Sequence, residues 1–184
     1  MKVVAYSKVR DLICVGDGIG CRSNHWFGKA IRFFKGGVDD LSHFAPVIRD
    51  TQNEATGRVE VLEALTKEGM QRNYLSKLYE VDHGKLFWLK ATCTLKQREQ
   101  IMEIGAQIVE KDLTYDFKST LFAIFTPIFM DAKKFNCSEW YWYLLTRVKR
   151  VLKRYDKKGR EVAPVPGDLP TWVGVELYEL DMHK

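Results

Sequence analysis

The sequence predicts a single α+β domain over residues 1–184, with an antiparallel sheet or barrel packed against helices. Three observations carry this. A chain of 184 residues that is 46% hydrophobic and 29% charged suits one buried core. Short apolar runs bounded by Gly, Asp and Asn read as strands. Two longer stretches, opening at Thr94 and Asn136, place apolar residues at helical spacing.

Taken in order, Val3 to Tyr6 and Asp11 to Val15 read as strands, after which Gly16, Gly18 and Gly20 break the pattern. Behind the capping candidates Ser23 and Asn24, Trp26, Phe27, Ala30, Ile31 and Phe34 recur at helical spacing until Gly36-Gly37. Ser42 to Arg49 and Arg58 to Ala64 read as paired strands joined by a polar loop. Leu78 to Val81 and Lys85 to Ala91, around Asp82, His83 and Gly84, have the form of a hairpin. Thr94 and Gln97 have capping-box spacing ahead of the stripe Ile101, Ile104, Ile108 and Val109.

From Tyr115 to Met130 no single period holds and Pro127 interrupts, so residues 117–134 are expected to form an insertion or lid. Asn136 then caps a long helix. Glu139 stands three residues on, and Leu144, Leu145, Val148, Val151, Leu152 and Tyr155 form one stripe, which puts Cys137 in the first turn. A Pro-rich loop leads to a last strand from Trp172 to Leu180.

The net charge of +5 is modest and gathers between Arg147 and Arg160, which does not imply nucleic-acid binding. The apolar members of that run share one face, as in an amphipathic helix with a solvated basic face. The sharper alternative is weak attraction of this basic helix 147–160 to an anionic surface, such as a lipid headgroup layer or a wall polymer. Cys14, Cys21, Cys93 and Cys137 are irregularly spaced without a C-x-x-C pair, the pattern of free thiols in a reducing compartment. A metal set of Cys14, Cys21 and His25 lacks an evident fourth ligand, so no metal is expected. Charged residues interrupt the first residues before a signal peptide could form, and Leu121 to Met130 is about half the length a membrane span needs. A cytoplasmic location is the expectation.

A thiol attacks as its thiolate, and the free N–H groups of a first helical turn favour that form. Cys137 has this position, whereas Cys14, Cys21 and Cys93 read as ordinary thiols. Among His25, His43, His83 and His183, only His43 opens a core strand; His83 falls in a turn, His183 near the terminus and His25 at a surface helix. A base is commonly oriented by a third polar group, and Glu63 is a carboxylate within the apolar strand VEVLEAL. The backbone N–H groups of Cys137 and Ser138 are natural oxyanion donors. Each residue also has an ordinary reading: Cys137 as a small buried hydrophobe, His43 as a hydrogen-bonded core histidine, Glu63 as a strand-end carboxylate, and Asp116 as a turn cap.

The residues Asp11-Leu12-Ile13, Ser42-His43 with Val47-Ile48, Glu63-Ala64, Tyr115-Asp116 and Asn136-Cys137-Ser138-Glu139 occur in an order that resembles the permuted NlpC-type papain-like hydrolases. That YiiX-like group is related to the lecithin–retinol acyltransferases, and in it the histidine strand precedes the cysteine helix. The resemblance implies a permuted papain-like fold with Cys137 as nucleophile, His43 as base and Glu63 as the orienting residue. It implies that Tyr115 helps hold substrate or the oxyanion, and that no cofactor is needed. Pro46, where the family has a small aliphatic residue, and the greasy stretch before Cys137 depart from the pattern. The implied activity is hydrolysis of an amide or ester through a thioester, on a peptidoglycan-like peptide or on an acyl group of a lipid or protein, in a bacterial or phage-encoded protein. The alternative is a binding module on the same fold without turnover.

Overall fold

The computed structural model describes residues 2–22, 41–52, 56–65, 69–82, 84–110, 114–115, 128–129, 134–135, 137–163, 168–174 and 176–183. The strands are β1 (Lys2–Ala5), β2 (Gly18–Arg22), β3 (His43–Arg49), β4 (Glu60–Leu65), β5 (Gly69–Tyr74), β6 (Lys85–Leu89), β7 (Thr114–Tyr115), β8 (Ile128–Phe129), β9 (Lys134–Phe135), β10 (Arg154–Tyr155), β11 (Glu161–Ala163) and β12 (Leu177–Asp181). The α-helices are α1 (Tyr6–Val9), α2 (Leu75–Asp82), α3 (Leu95–Glu110), α4 (Cys137–Arg147) and α5 (Leu169–Val173).

A seven-stranded sheet in the order β1-β12-β6-β2-β3-β4-β5 forms the frame. Its pairings are antiparallel except β1 with β12, which run parallel. Alternation along β3 sends Phe44 and Ile48 into one apolar cluster with residues of α3 and α4, and Ala45 and Val47 into a second with Ile19, Val61, Leu75 and Leu78. Both faces are buried, so FAPVI reads as a continuous apolar run rather than an alternating one.

Pro46 lies inside β3 without breaking it. Val47 donates its N–H to the carbonyl of Asp17 at 2.8 Å and accepts from the N–H of Gly16 at 2.9 Å. The hydrogen-bonding groups of Val47 thus face β2, and by alternation the donorless nitrogen of Pro46 faces β4. The register between β3 and β4 shifts between Val47 and Arg49, at that irregularity.

Three buried features tie β2 and β6 to the helices. The Asp17 carboxylate accepts from the backbone N–H of Cys14, the indole of Trp88 and the backbone N–H of Ala91 at 2.8–2.9 Å. Gly16 has φ of +92°, and a Cβ there would lie 2.7 Å from the sulfur of Cys93. A Cβ on Gly18 would lie 2.2 Å from Phe44 and 2.9 Å from Tyr141, so only glycine lets β2 pass beneath those rings.

The α+β class is observed, and the helix opening at Thr94 carries its capping box. The Gln97 N–H donates to Thr94 Oγ1 at 3.3 Å, and the Thr94 N–H to Gln97 Oε1 at 2.9 Å.

Four elements differ from expectation. Asp11 to Val15 is not a strand: Arg10–Leu12 is a 3-10 turn, and the Asp17 N–H donates to the Cys14 carbonyl at 3.0 Å, closing a turn there. The first half of the expected hairpin at 78–81 is instead α2, whose Leu75, Leu78 and Tyr79 pack at helical spacing against the second cluster. The helix opening at Cys137, expected to run on through Tyr155, stops at Arg147. Lys149 takes a left-handed φ of 56°, and the N–H groups of Arg150 and Val151 both turn back to the Leu145 carbonyl. The basic run 147–160 is therefore no helix; it continues into the hairpin of β10 and β11, with Leu152 and Tyr155 exposed. The expected strand from Trp172 begins as α5, closed by Gly174 in the left-handed region, and extends only over β12. The expected helix after Ser23 and nearly all of the expected insertion at 117–134 lie outside the described residues.

Candidate active site

Cys137 is the first residue of α4 and is buried. The helix sits on β3 because Tyr141, one turn after Cys137, stacks on Phe44 with ring centroids 5.1 Å apart and donates its hydroxyl to the Gly16 carbonyl at 3.0 Å. Phe44 is the neighbour of His43 in the chain, so the stack that seats the helix also brings its first turn to the start of β3.

His43 opens β3, with its Nε2 3.5 Å from Glu63 Oε1, an ion-pair contact longer than a hydrogen bond. Cys137 lies near enough to act on the imidazole electrostatically. Burial disfavours the charged imidazole, but the interactions with Cys137 and then with the Glu63 carboxylate outweigh it, so His43 is pushed up to about 10.

Glu63 lies in β4 and is buried. Burial alone would raise its carboxyl. His43 on one side, Asn73 on the other and the more distant charge of Lys77 instead hold it below the usual range.

Asn73 donates its Nδ2–H to Glu63 Oε2 at 2.5 Å from the adjoining strand β5. Val61 is directly opposite Asn73, so the contact to Glu63 is the diagonal one between neighbouring strands. Sequence reasoning missed Asn73 because GMQRNY has no β-branched residue and was not read as a strand. The signal available was the polar pair Gln71 and Asn73, two apart and just beyond the Glu63 strand.

Ser138 is fully buried directly after Cys137. Tyr115 pairs with Phe135 through β7 and β9, and its side chain is outside the described set. His183 meets the hydroxyl of Tyr79 at 2.6 Å instead of joining the site. His25, His83, Asp116 and Asn136 lie outside the described residues. The arrangement brings together a buried thiol, a half-buried imidazole, a buried carboxylate and a half-buried amide, groups chemically able to exchange a proton.

No protein-family model and no curated protein matches the chain. Among solved structures it is similar to the crystal structure of the metalloprotein YiiX from Escherichia coli O157:H7, with 19% sequence identity and a TM-score of 0.55. The likeness covers 73% of this chain and 66% of that one, just under two thirds of its length. The shared feature is the fold, a mixed α+β arrangement with one large sheet and few helices.

Proposed function

We propose that this protein is a cysteine hydrolase of permuted papain-like type, cleaving an amide or ester through a thioester. The observation that carries the reading is the meeting of Cys137, His43 and Glu63 from three separate elements, α4, β3 and β4. In the proposed reaction the Cys137 sulfur forms a bond to the substrate carbonyl carbon, and the backbone N–H groups of Cys137 and Ser138 receive the oxyanion. His43 gives its proton to the departing amine or alcohol as that bond breaks, leaving a thioester. Water, deprotonated by the same imidazole, then attacks the thioester; the acid is released and the thiol restored. With Nε2 of His43 turned toward Glu63, Nδ1 is the nitrogen assigned to the sulfur and the substrate.

YiiX is described as a metalloprotein, but among the described residues of this chain no three His, Cys, Asp or Glu side chains converge as a metal centre requires. The donor set does not fit, and the reaction proposed here runs on the chain's own groups. A peptide of peptidoglycan-like material is the favoured substrate class, with acyl esters the alternative.

The test is hydrolysis of muropeptides and of acyl esters, with Cys137→Ala as the blank. Release from one set, lost in that variant, together with a trapped acyl group on Cys137, is the expected result. In parallel, iodoacetamide at neutral pH should modify Cys137 before Cys93, whose thiol burial pushes up to about 11. Labelling of Cys137 that is unchanged in His43→Ala, with no turnover of either set, would leave only a binding module on this fold.

A further inference from the structure

A concavity opens where β4 begins and β5 ends. It has a volume of about 500 Å³ and is lined by Arg49, Arg72, Lys77, Glu60, Thr56 and Asn73, with Tyr74 on its wall. The cavity borders the proposed site through Asn73, whose amide reaches Glu63, and extends to Arg49 at the far end of β3, roughly 20 Å from His43 at the rise of an extended strand.

The charges in this cavity do not balance. Among the described lining residues Glu60 is the one carboxylate; it is buried, 3.7 Å from Arg49 and accepting from Thr56 Oγ1 at 3.5 Å. Arg72 and Lys77 reach solvent, and neither forms an ion pair among the described residues. Within that described lining three cations face one anion, an excess of two; Glu63, which feels the Lys77 charge from beyond the lining, is itself paired with His43. A further guanidinium, that of Arg58, lies 5.2 Å from the centre of the Tyr74 ring at the wall. Asn73 adds the amide N–H that it does not give to Glu63, so a neutral donor accompanies the charge.

From this we infer that the cavity is a binding site for a phosphate monoester, the ligand class whose charge of about −1.5 to −2 at neutral pH matches the two uncompensated cations. The planar forks of Arg49 and Arg72 suit bidentate contact with phosphate oxygens, and Lys77 adds a point charge. A single carboxylate would neutralise only half of the excess, and the volume exceeds what a bare phosphate ion fills, so the ester's organic part has room. The site is independent of the hydrolytic reading and stands if that reading fails.

The phosphate could be carried by a small soluble ester or presented by a lipid headgroup. The probes are therefore glycerol phosphate, and phosphatidylcholine vesicles with and without phosphatidic acid. Amide shifts of Arg72, Asn73 and Lys77 should saturate with glycerol phosphate, while sodium chloride at matched ionic strength should not reproduce them. The double variant Arg72→Ala, Lys77→Ala should weaken binding at least tenfold; both residues are exposed, and an unchanged melting temperature would show the fold intact. Co-sedimentation with phosphatidic acid vesicles alone would assign the headgroup as the source. Binding of neither probe, chloride producing the same shifts, or undiminished affinity in the folded double variant would overturn the assignment.

Discussion

At the scale of single residues, the state of His43 depends on two partners that act in the same direction. The sulfur of Cys137 and the carboxylate of Glu63 both favour the imidazolium against burial, which places His43 at about 10. Cys137→Ala removes the first-named attraction, so the His43 midpoint, followed by the ring proton shifts in NMR, should fall substantially. A midpoint unmoved by that change would contradict the contact. The same pairing fixes a pH window for stability. Because the folded value of His43 is raised above its ordinary 6.5, its contribution is fully present below that pH and is lost as pH rises through about 10. Glu63 is lowered, so its contribution holds above the ordinary 4.5 and is lost as pH falls through its depressed folded value. Denaturant midpoints measured from pH 4 to 10 should decline at both ends, and Glu63→Gln should flatten both declines. In the proposed reaction Asn73 acts through Glu63 as a positioning residue. Asn73→Ala should lower kcat/KM about tenfold and bring the alkaline limb to lower pH, while Asn73→Ser, which keeps a donor, should recover part of both.

At the scale of elements, α4, the helix that opens at Cys137, is held by fit more than by its own sequence. A Cβ added at Gly18 would lie 2.9 Å from Tyr141 and 2.2 Å from Phe44. Gly18→Ala should push the stacked pair off β3, destabilising the protein by about 1–3 kcal/mol and slowing turnover by misplacing Cys137, as calorimetry and kinetics would record. Thr94→Ala, at the cap of α3, should cost about 1 kcal/mol and leave turnover unchanged. These two contrast in legibility. The capping box at Thr94 is local chemistry, readable from Thr94, Gln97 and the stripe behind them. The strand of His43, the strand of Glu63 and the helix start at Cys137 were readable for the same reason. What sequence periodicity does not reveal is termination and pairing. Helix α4 ends through the left-handed backbone of Lys149, a residue type with no preference for that region, and the apolar residues beyond it continue the stripe by coincidence. Asn73 was hidden because its meaning comes from a diagonal neighbour on another strand, which spacing along one segment does not encode.

At the scale of the whole molecule, one sheet buried on both faces joins two apolar clusters, and Asp17 ties the middle of that sheet together. Its carboxylate receives donors from Cys14, Trp88 and Ala91, bridging the approach to β2 with β6 and the chain beyond it. Asp17→Ala strands a buried indole and a buried amide without partners, and the expected loss is about 2–5 kcal/mol, measured by urea unfolding. The YiiX-like frame was legible as a class from strand and helix content, but its strand order was not, since β12 from the end of the described chain inserts between β1 and β6. That insertion leaves β1 as the outermost ribbon on its side, with Val3 turned largely to water. Shaving off those first few residues would strip β12 of its partner and pass the bare margin one ribbon inward, so a trimmed protein should unfold at lower urea than the intact one.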